Sequence, residues 1–108
     1  MNLLFVCTLN QIRSLTAEQM FKNVSGLSVR SAGTASNARH EVNSKDIDWA
    51  DIIFVMEKEH QEHLQKKFPD VLPSTKVVNL NIPNGYDYMD PDLMEMLRVE
   101  VAHHLGTM

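Results

Sequence analysis

The sequence predicts an α/β domain of three layers: a four-stranded, mostly parallel sheet with helices on both faces. Two observations lead there. Short apolar runs alternate with segments of helical periodicity along the chain, the pattern of strand–crossover–strand units. The most apolar of those runs, Ile52 to Met56, has no polar member, as a central strand covered on both sides requires. Length agrees. The 108 residues, 44% of them hydrophobic, predict a single domain over 1–108 with one modest core.

Taken in order, Leu3 to Val6 is compatible with a buried strand. Ala17, Met20, Phe21 and Val24 then recur at helical spacing, and Ser25-Gly26 supplies a stop, with Gly26 as the C′ residue. Leu27 to Ser31 alternates apolar and polar and predicts the second strand; Ala32 to Asn43 is turn-rich. Asn43 or Ser44 can cap a short helix ending near Trp49-Ala50, with Trp49 packing it onto the sheet. The run Ile52 to Met56 is the third strand. Glu57 to Phe68 reads as a helix, acidic early and with Lys66-Lys67 late, which suits its dipole; Pro69 ends it. Lys76 to Leu80 is the fourth strand, and Asn81 to Met89, with Pro83 and Gly85, a loop. Asp90 can cap a last helix with Pro91 at its first position, and Leu93, Leu97, Val101 and Leu105 mark its inner face.

Composition excludes several functions. Ten basic against fourteen acidic residues give a net charge of −4, without the basic footprint of a nucleic-acid binder. No apolar run approaches the roughly 18 residues of a membrane span, and the first residues lack the basic and apolar parts of a secretory signal, so a cytoplasmic protein is expected. The single cysteine, Cys7, permits neither an intrachain disulfide nor a multi-cysteine zinc site. His60 and His63 with Glu62, and His103-His104, are better explained as solvated helix faces than as metal ligands. Met89, Met94 and Met96 read as core fillers. Tyr86 and Tyr88, flanking the late loop, suit an aromatic wall for a phenyl ring and ordinary loop anchoring equally well.

The chemistry concentrates in Cys7-Thr8-Leu9-Asn10-Gln11-Ile12-Arg13-Ser14, between the first strand and the first helix. A loop opening a helix turns backbone N–H groups toward one point, and the helix N-terminus adds partial positive charge. An arginine there can grip an oxyanion bidentately. The same field stabilises a thiolate, and a thiolate beneath a bound phosphoryl group is placed for in-line attack. Cysteine as space filler and Arg13 as a solvated helix residue is the bland alternative.

Phe5-Val6-Cys7-Thr8-x-Asn10-x-x-Arg13-Ser14, Thr16-Ala17-Glu18, Arg30-Ser31-Ala32-Gly33-Thr34, Ala38-Arg39 through Ala50-Asp51, Phe54-x-Met56 and Ile82-Pro83-Asn84-Gly85-Tyr86 follow one another in an order that resembles the low-molecular-weight protein tyrosine phosphatases over nearly the whole chain. The resemblance implies that Cys7 is the nucleophile, that Arg13 holds the phosphate and its transition state, and that Ser14 stabilises the leaving thiolate. Thr8, Leu9, Asn10, Gln11 and Ile12 would form the phosphate loop, with Asn10 in a left-handed conformation, and Asn84 and Tyr86 would border the substrate. It implies no metal and no organic cofactor, and a partner that is phosphate or a phosphotyrosine-bearing substrate. Arsenate reductases share the loop but relay electrons through further cysteines, which this chain lacks.

The chain departs from the family where Leu9, Ile12 and Leu15 stand for its glycine, second cysteine and proline, and between Gly33 and Ile52, where it is short. The largest departure is Asn84, which aligns with the aspartate that protonates the leaving group. Asp87 and Asp90, three and six residues on, are the candidate replacement acids. If neither serves, the chain is a slow phosphatase or a phosphate- or phosphopeptide-binding module on the same scaffold. A thiol redox sensor built on Cys7 is a weaker third reading, since no resolving cysteine is present.

Overall fold

The computed structural model describes residues 1–72 and 75–106. Its elements run β1 (Asn2–Cys7), α1 (Arg13–Phe21), β2 (Ser28–Gly33), α2 (Ser44–Trp49), β3 (Ile52–Val55), α3 (Lys58–Lys67), β4 (Lys76–Asn79) and α4 (Pro91–Leu105). The strands form one sheet in the order β2-β1-β3-β4, and every pairing is parallel. The expected α/β architecture is present.

Alternation along the strands builds two cores. Leu3, Phe5 and Cys7 of β1, with Ile52 and Phe54 of β3, face one side, where Ala17 and Phe21 of α1 and Leu93, Leu97 and Val101 of α4 cover them. The intervening Leu4, Val6, Ile53 and Val55 face the other, beneath Ile47 of α2 and Leu64 of α3. Phe5 stacks between Phe21 and Phe54, with centroids 5.8 and 5.3 Å away. Strands buried on both faces explain why β1 and β3 read as unbroken apolar runs. Trp49 packs on the second core, with the Arg30 guanidinium 4.2 Å from its ring centre.

The boundaries differ from expectation in one instructive place. α1 begins at Arg13 and ends at Phe21, rather than continuing to Val24. Val24 still packs against the core, but from a turn in which its N–H donates to the Phe21 carbonyl (3.1 Å). Gly26, at φ 86°, belongs to that turn and not to the helix cap. Asn23, Ser25 and Gly26 favour turns, and they win over the apolar periodicity. α2 starts as expected: the Asn43 side chain accepts from Asp46 N (2.9 Å), and the Asp46 carboxylate accepts from Asn43 N (3.2 Å).

Strand order fixes where a ligand can sit. The chain passes from β1 outward to β2, then back across to β3. The carboxyl ends of β1 and β3 therefore border the crevice at the switch point. Cys7 ends β1 at that crevice. Hydrogen bonds continue past β3 and β4, from Met56 N to Val6 O (3.1 Å) and from Ile82 N to Met56 O (2.8 Å), and they carry the loop after β4 to the same end.

Candidate active site

The loop from Cys7 to Arg13 owes its shape to the segment behind it. Thr34 N donates to Cys7 O (2.9 Å), Ala35 N to Thr8 O (3.0 Å) and Arg39 N to Leu9 O (3.0 Å). Arg39 Nε donates to Asn10 O (3.2 Å). Four successive carbonyls are thus drawn outward. In a trans peptide the C=O and the following N–H point opposite ways, so the N–H groups of residues 8 to 11 turn inward. Asn10 N shows the result by donating to Cys7 Sγ at 3.3 Å. Asn10, wholly buried, adopts the left-handed conformation (φ 57°) that the resemblance implied. Gly33 lets the two segments meet: a Cβ there would lie 2.5 Å from Thr8 O and 2.6 Å from Ala38 Cβ. The turn-rich stretch after β2 is therefore a brace for the loop, a role its composition did not announce.

Cys7 Sγ lies 3.0 Å from Ser14 Oγ. That hydroxyl accepts from Asn10 Nδ2 (2.8 Å) and also lies within reach of Ala32 O (3.3 Å). With one proton and two possible acceptors, Ser14 can turn its O–H toward the sulfur when the sulfur is a thiolate. Ile12, at the N-cap of α1, makes no side-chain cap hydrogen bond, and the first turn holds no acidic residue. The positive end of α1 is left open beside the thiol.

Arg13, only 3% exposed, donates through Nη1 to Glu57 Oε1 (2.5 Å) and to Ile82 O (2.8 Å). Among the described residues these are its hydrogen bonds, so Nε and Nη2 form a free edge suited to two oxygens of one anion. A cavity of about 170 Å³ opens there, lined by Cys7, Thr8, Leu9, Gln11, Ile12, Arg13 and Asn84. A roomier, shallower hollow of about 440 Å³ lies along α3, β4 and the segment between them, but Gln61, Gln65, Pro69, Leu72, Thr75 and Val77 offer it neither a thiol nor a charge.

The expected site residues separate accordingly. Cys7, Thr8, Leu9, Gln11, Ile12, Arg13 and Asn84 meet in the cavity, with Asn10 and Ser14 directly behind it. Tyr86, Asp87 and Asp90 are not among its lining residues. Tyr86 packs against the α1–α4 core, its hydroxyl 3.9 Å from Met96 Sδ. Asp87 is exposed. The Asp90 carboxylate accepts from Asp92 N (2.8 Å) and Leu93 N (3.2 Å), capping α4.

Two residues of the site were not expected from sequence. Glu57 holds Arg13. His60, taken as part of a solvated helix face, is 1% exposed. Its Nδ1 accepts from Glu57 N (3.0 Å) and its Nε2 lies 2.9 Å from Thr8 Oγ1. Both face inward because α3 begins as the chain leaves β3 at the switch-point end. Periodicity could have hinted at this, since His60 stands four residues before the buried Leu64. Donor atoms of Glu57, Glu59 and His60 lie within 4.8 Å of one another, but Glu57 is paired with Arg13 and both His60 nitrogens are hydrogen-bonded, which leaves a poor donor set for a metal.

Burial lowers the His60 pKa to about 4, helped by the positive Arg13 and, more weakly, by His63, against the opposing pull of Glu57. Exposed Glu59 is a further neighbour, 4.0 Å from Nε2. Between the unfolded value of 6.5 and the folded value of about 4, the unfolded chain binds a proton that the folded chain refuses. Stability therefore falls as pH drops through that window, by at most about 3 kcal/mol from this group. Denaturant midpoints should show it: the advantage of wild type over His60→Gln shrinks from pH 7 to pH 4.5. An advantage independent of pH would contradict the assignment.

Comparison with known proteins agrees with this geometry. Residues 2–48 match the family model described as low molecular weight phosphotyrosine protein phosphatase, a stretch holding β1, the whole loop and its brace. That match spans less than half of the chain, and what it and the fold show is a likeness to low-molecular-weight phosphotyrosine phosphatases. Among solved structures, a YwlE mutant from Bacillus subtilis is 25% identical, with a TM-score of 0.72 over 99% of both chains. The phosphatase SP-PTP from Streptococcus pyogenes is 15% identical, with a TM-score of 0.79 over 97% of this chain and 91% of that one. The tyrosine phosphatase Wzb from Escherichia coli K30, solved with phosphate, is 18% identical, with a TM-score of 0.75 over 97% and 96%. No curated protein matches by sequence. Members of this phosphatase family are phosphomonoester hydrolases. Among the described residues no helix is long and apolar enough to cross a membrane.

Proposed function

We propose that this chain is a cysteine-dependent phosphatase that works through a phosphocysteine and is limited by leaving-group departure. The observation that carries the reading is the open cavity in which Cys7, the free edge of Arg13 and the inward N–H groups of the loop converge. The Cys7 thiolate attacks phosphorus; the S–P bond forms as the P–O bond to the leaving group breaks, and its electron pair goes to the departing oxygen. Arg13, the loop N–H groups and the α1 N-terminus stabilise the charge gathered on the equatorial oxygens. Water then attacks the phosphocysteine, the S–P bond breaks, and Ser14 donates to the sulfur that regains its charge.

Asn84 lines the same cavity; on this reading it occupies the acid's position, and an amide transfers no proton. Turnover therefore favours leaving groups stable as anions. Neighbours of like fold include tyrosine phosphatases and an arginine phosphatase from Geobacillus stearothermophilus, so the fold does not choose between those substrates. Among the described residues no aromatic ring lines the cavity, and Tyr86 packs partly buried against the core instead. Asn84 also favours one second reading, a phosphate- or phosphopeptide-binding module.

Turnover of para-nitrophenyl phosphate by wild type beside Cys7→Ser separates the two. Slow steady hydrolysis, lost in Cys7→Ser, is expected. Phosphate binding without any Cys7-dependent turnover would transfer the function to the binding module.

A further inference from the structure

The hydrogen bonds around His60 have a direction. Glu57 N donates to Nδ1 at 3.0 Å, so Nδ1 carries no proton. Burial keeps the ring neutral, which leaves its one hydrogen on Nε2. Thr8 Oγ1, 2.9 Å from Nε2, is therefore the acceptor. A hydroxyl that accepts from the ring has its own hydrogen left for another partner. Thr8 lines the anion cavity directly beside Cys7.

We propose that His60 is a positioning residue that sets the polarity of the Thr8 hydroxyl, so that Thr8 donates into the phosphate cavity from the end of the loop opposite Arg13. The inference rests on reading that cavity as the phosphoryl site. It gives the turn opening α3 two tasks on one loop: His60 orients Thr8 at its start, and Glu57 orients Arg13 at its end. Neither residue touches the reacting atoms. Glu57 holds the guanidinium through Nη1 and His60 directs a hydroxyl, so a bound phosphoryl group meets donors aimed before it arrives.

Three measurements test the inference. A long-range proton–nitrogen NMR spectrum of wild type should show the Nε2–H tautomer for His60; the Nδ1–H form would overturn it. Inhibition by inorganic phosphate should weaken roughly tenfold in Thr8→Val, the loss of one hydrogen bond to a charged acceptor. Glutamine places an N–H near the Nε2 position, whereas asparagine reaches only as far as Nδ1. His60→Gln should thus stay within about twofold of wild type in phosphate affinity, while His60→Asn matches Thr8→Val and the pair together loses no more than either alone. Equal behaviour of the glutamine and asparagine variants, or full affinity in Thr8→Val, would overturn the assignment. If either His60 variant fails to fold, the spectrum and Thr8→Val decide. A wild type that binds neither phosphate nor vanadate refutes the cavity reading itself, a different failure from lost Thr8 dependence in a protein that binds both.

Discussion

Arg13→Ala is expected to lower kcat/KM for para-nitrophenyl phosphate by on the order of 10³-fold or more, and to abolish vanadate inhibition in the millimolar range. Arginine side chains that stabilise phosphoryl-transfer charge are worth roughly 10³–10⁵ in rate. Here the loss has a second component. Arg13 neutralises Glu57 and satisfies the Ile82 carbonyl. Its removal leaves the Glu57 carboxylate without its cation beside the proposed anion site, so like charge is expected to repel the substrate that arginine no longer holds. Arg13→Lys keeps a charge but cannot offer two parallel N–H groups while also reaching Glu57 and Ile82, so it should recover only a small part. Arg13→Ala with Glu57→Gln should bind phosphate more tightly than Arg13→Ala alone, because the repulsion is gone. If the double variant binds no better, Glu57 does not act on the cavity.

How much of this was legible in the sequence depends on how local the cause is. The order of elements and the sheet followed from alternation: Leu3 to Val6 and Ile52 to Met56 could be buried on both faces only in a covered parallel sheet. The loop's place followed from Cys7 ending the first strand. What surrounds the loop was not legible. The segment from Thr34 to Arg39 looked like a turn, because its contribution is a set of backbone N–H groups and a close approach at Gly33, which side-chain pattern does not encode. Glu57 read only as the acidic start of a helix, and His60 as part of a solvated helix face. They are drawn inward because β3 ends beside β1, which brings the start of α3 against a loop about fifty residues earlier. Asp90 shows the converse: its cap on α4 was readable from Asp90-Pro91 alone, and that local role occupies the carboxylate its neighbourhood had offered as an acid.

Asn84→Asp is expected to raise turnover of phosphotyrosine by an order of magnitude or more, within the roughly 10²–10⁴-fold range of general acid catalysis. Asn84 shares the cavity with Cys7 and Arg13, so a carboxylic acid there stands near the leaving oxygen without any movement of the loop. Tyrosine, with a pKa near 10, departs poorly as an anion. Protonation in flight removes that barrier, and the resulting carboxylate can then activate water against the phosphocysteine. Para-nitrophenyl phosphate, whose leaving group needs less help, should gain far less, so the ratio of the two rates is the sharper measure. The variant should also acquire a limb in its pH–rate profile that falls as the new aspartate ionises. Asp90→Asn separates this from the competing assignment. Asparagine caps helices about as well as aspartate, so α4 should stay intact and activity should be unchanged. If Asp90→Asn or Asp87→Asn abolishes turnover while Asn84→Asp leaves it as it was, the loop after β4 rearranges on binding and supplies that aspartate as the acid.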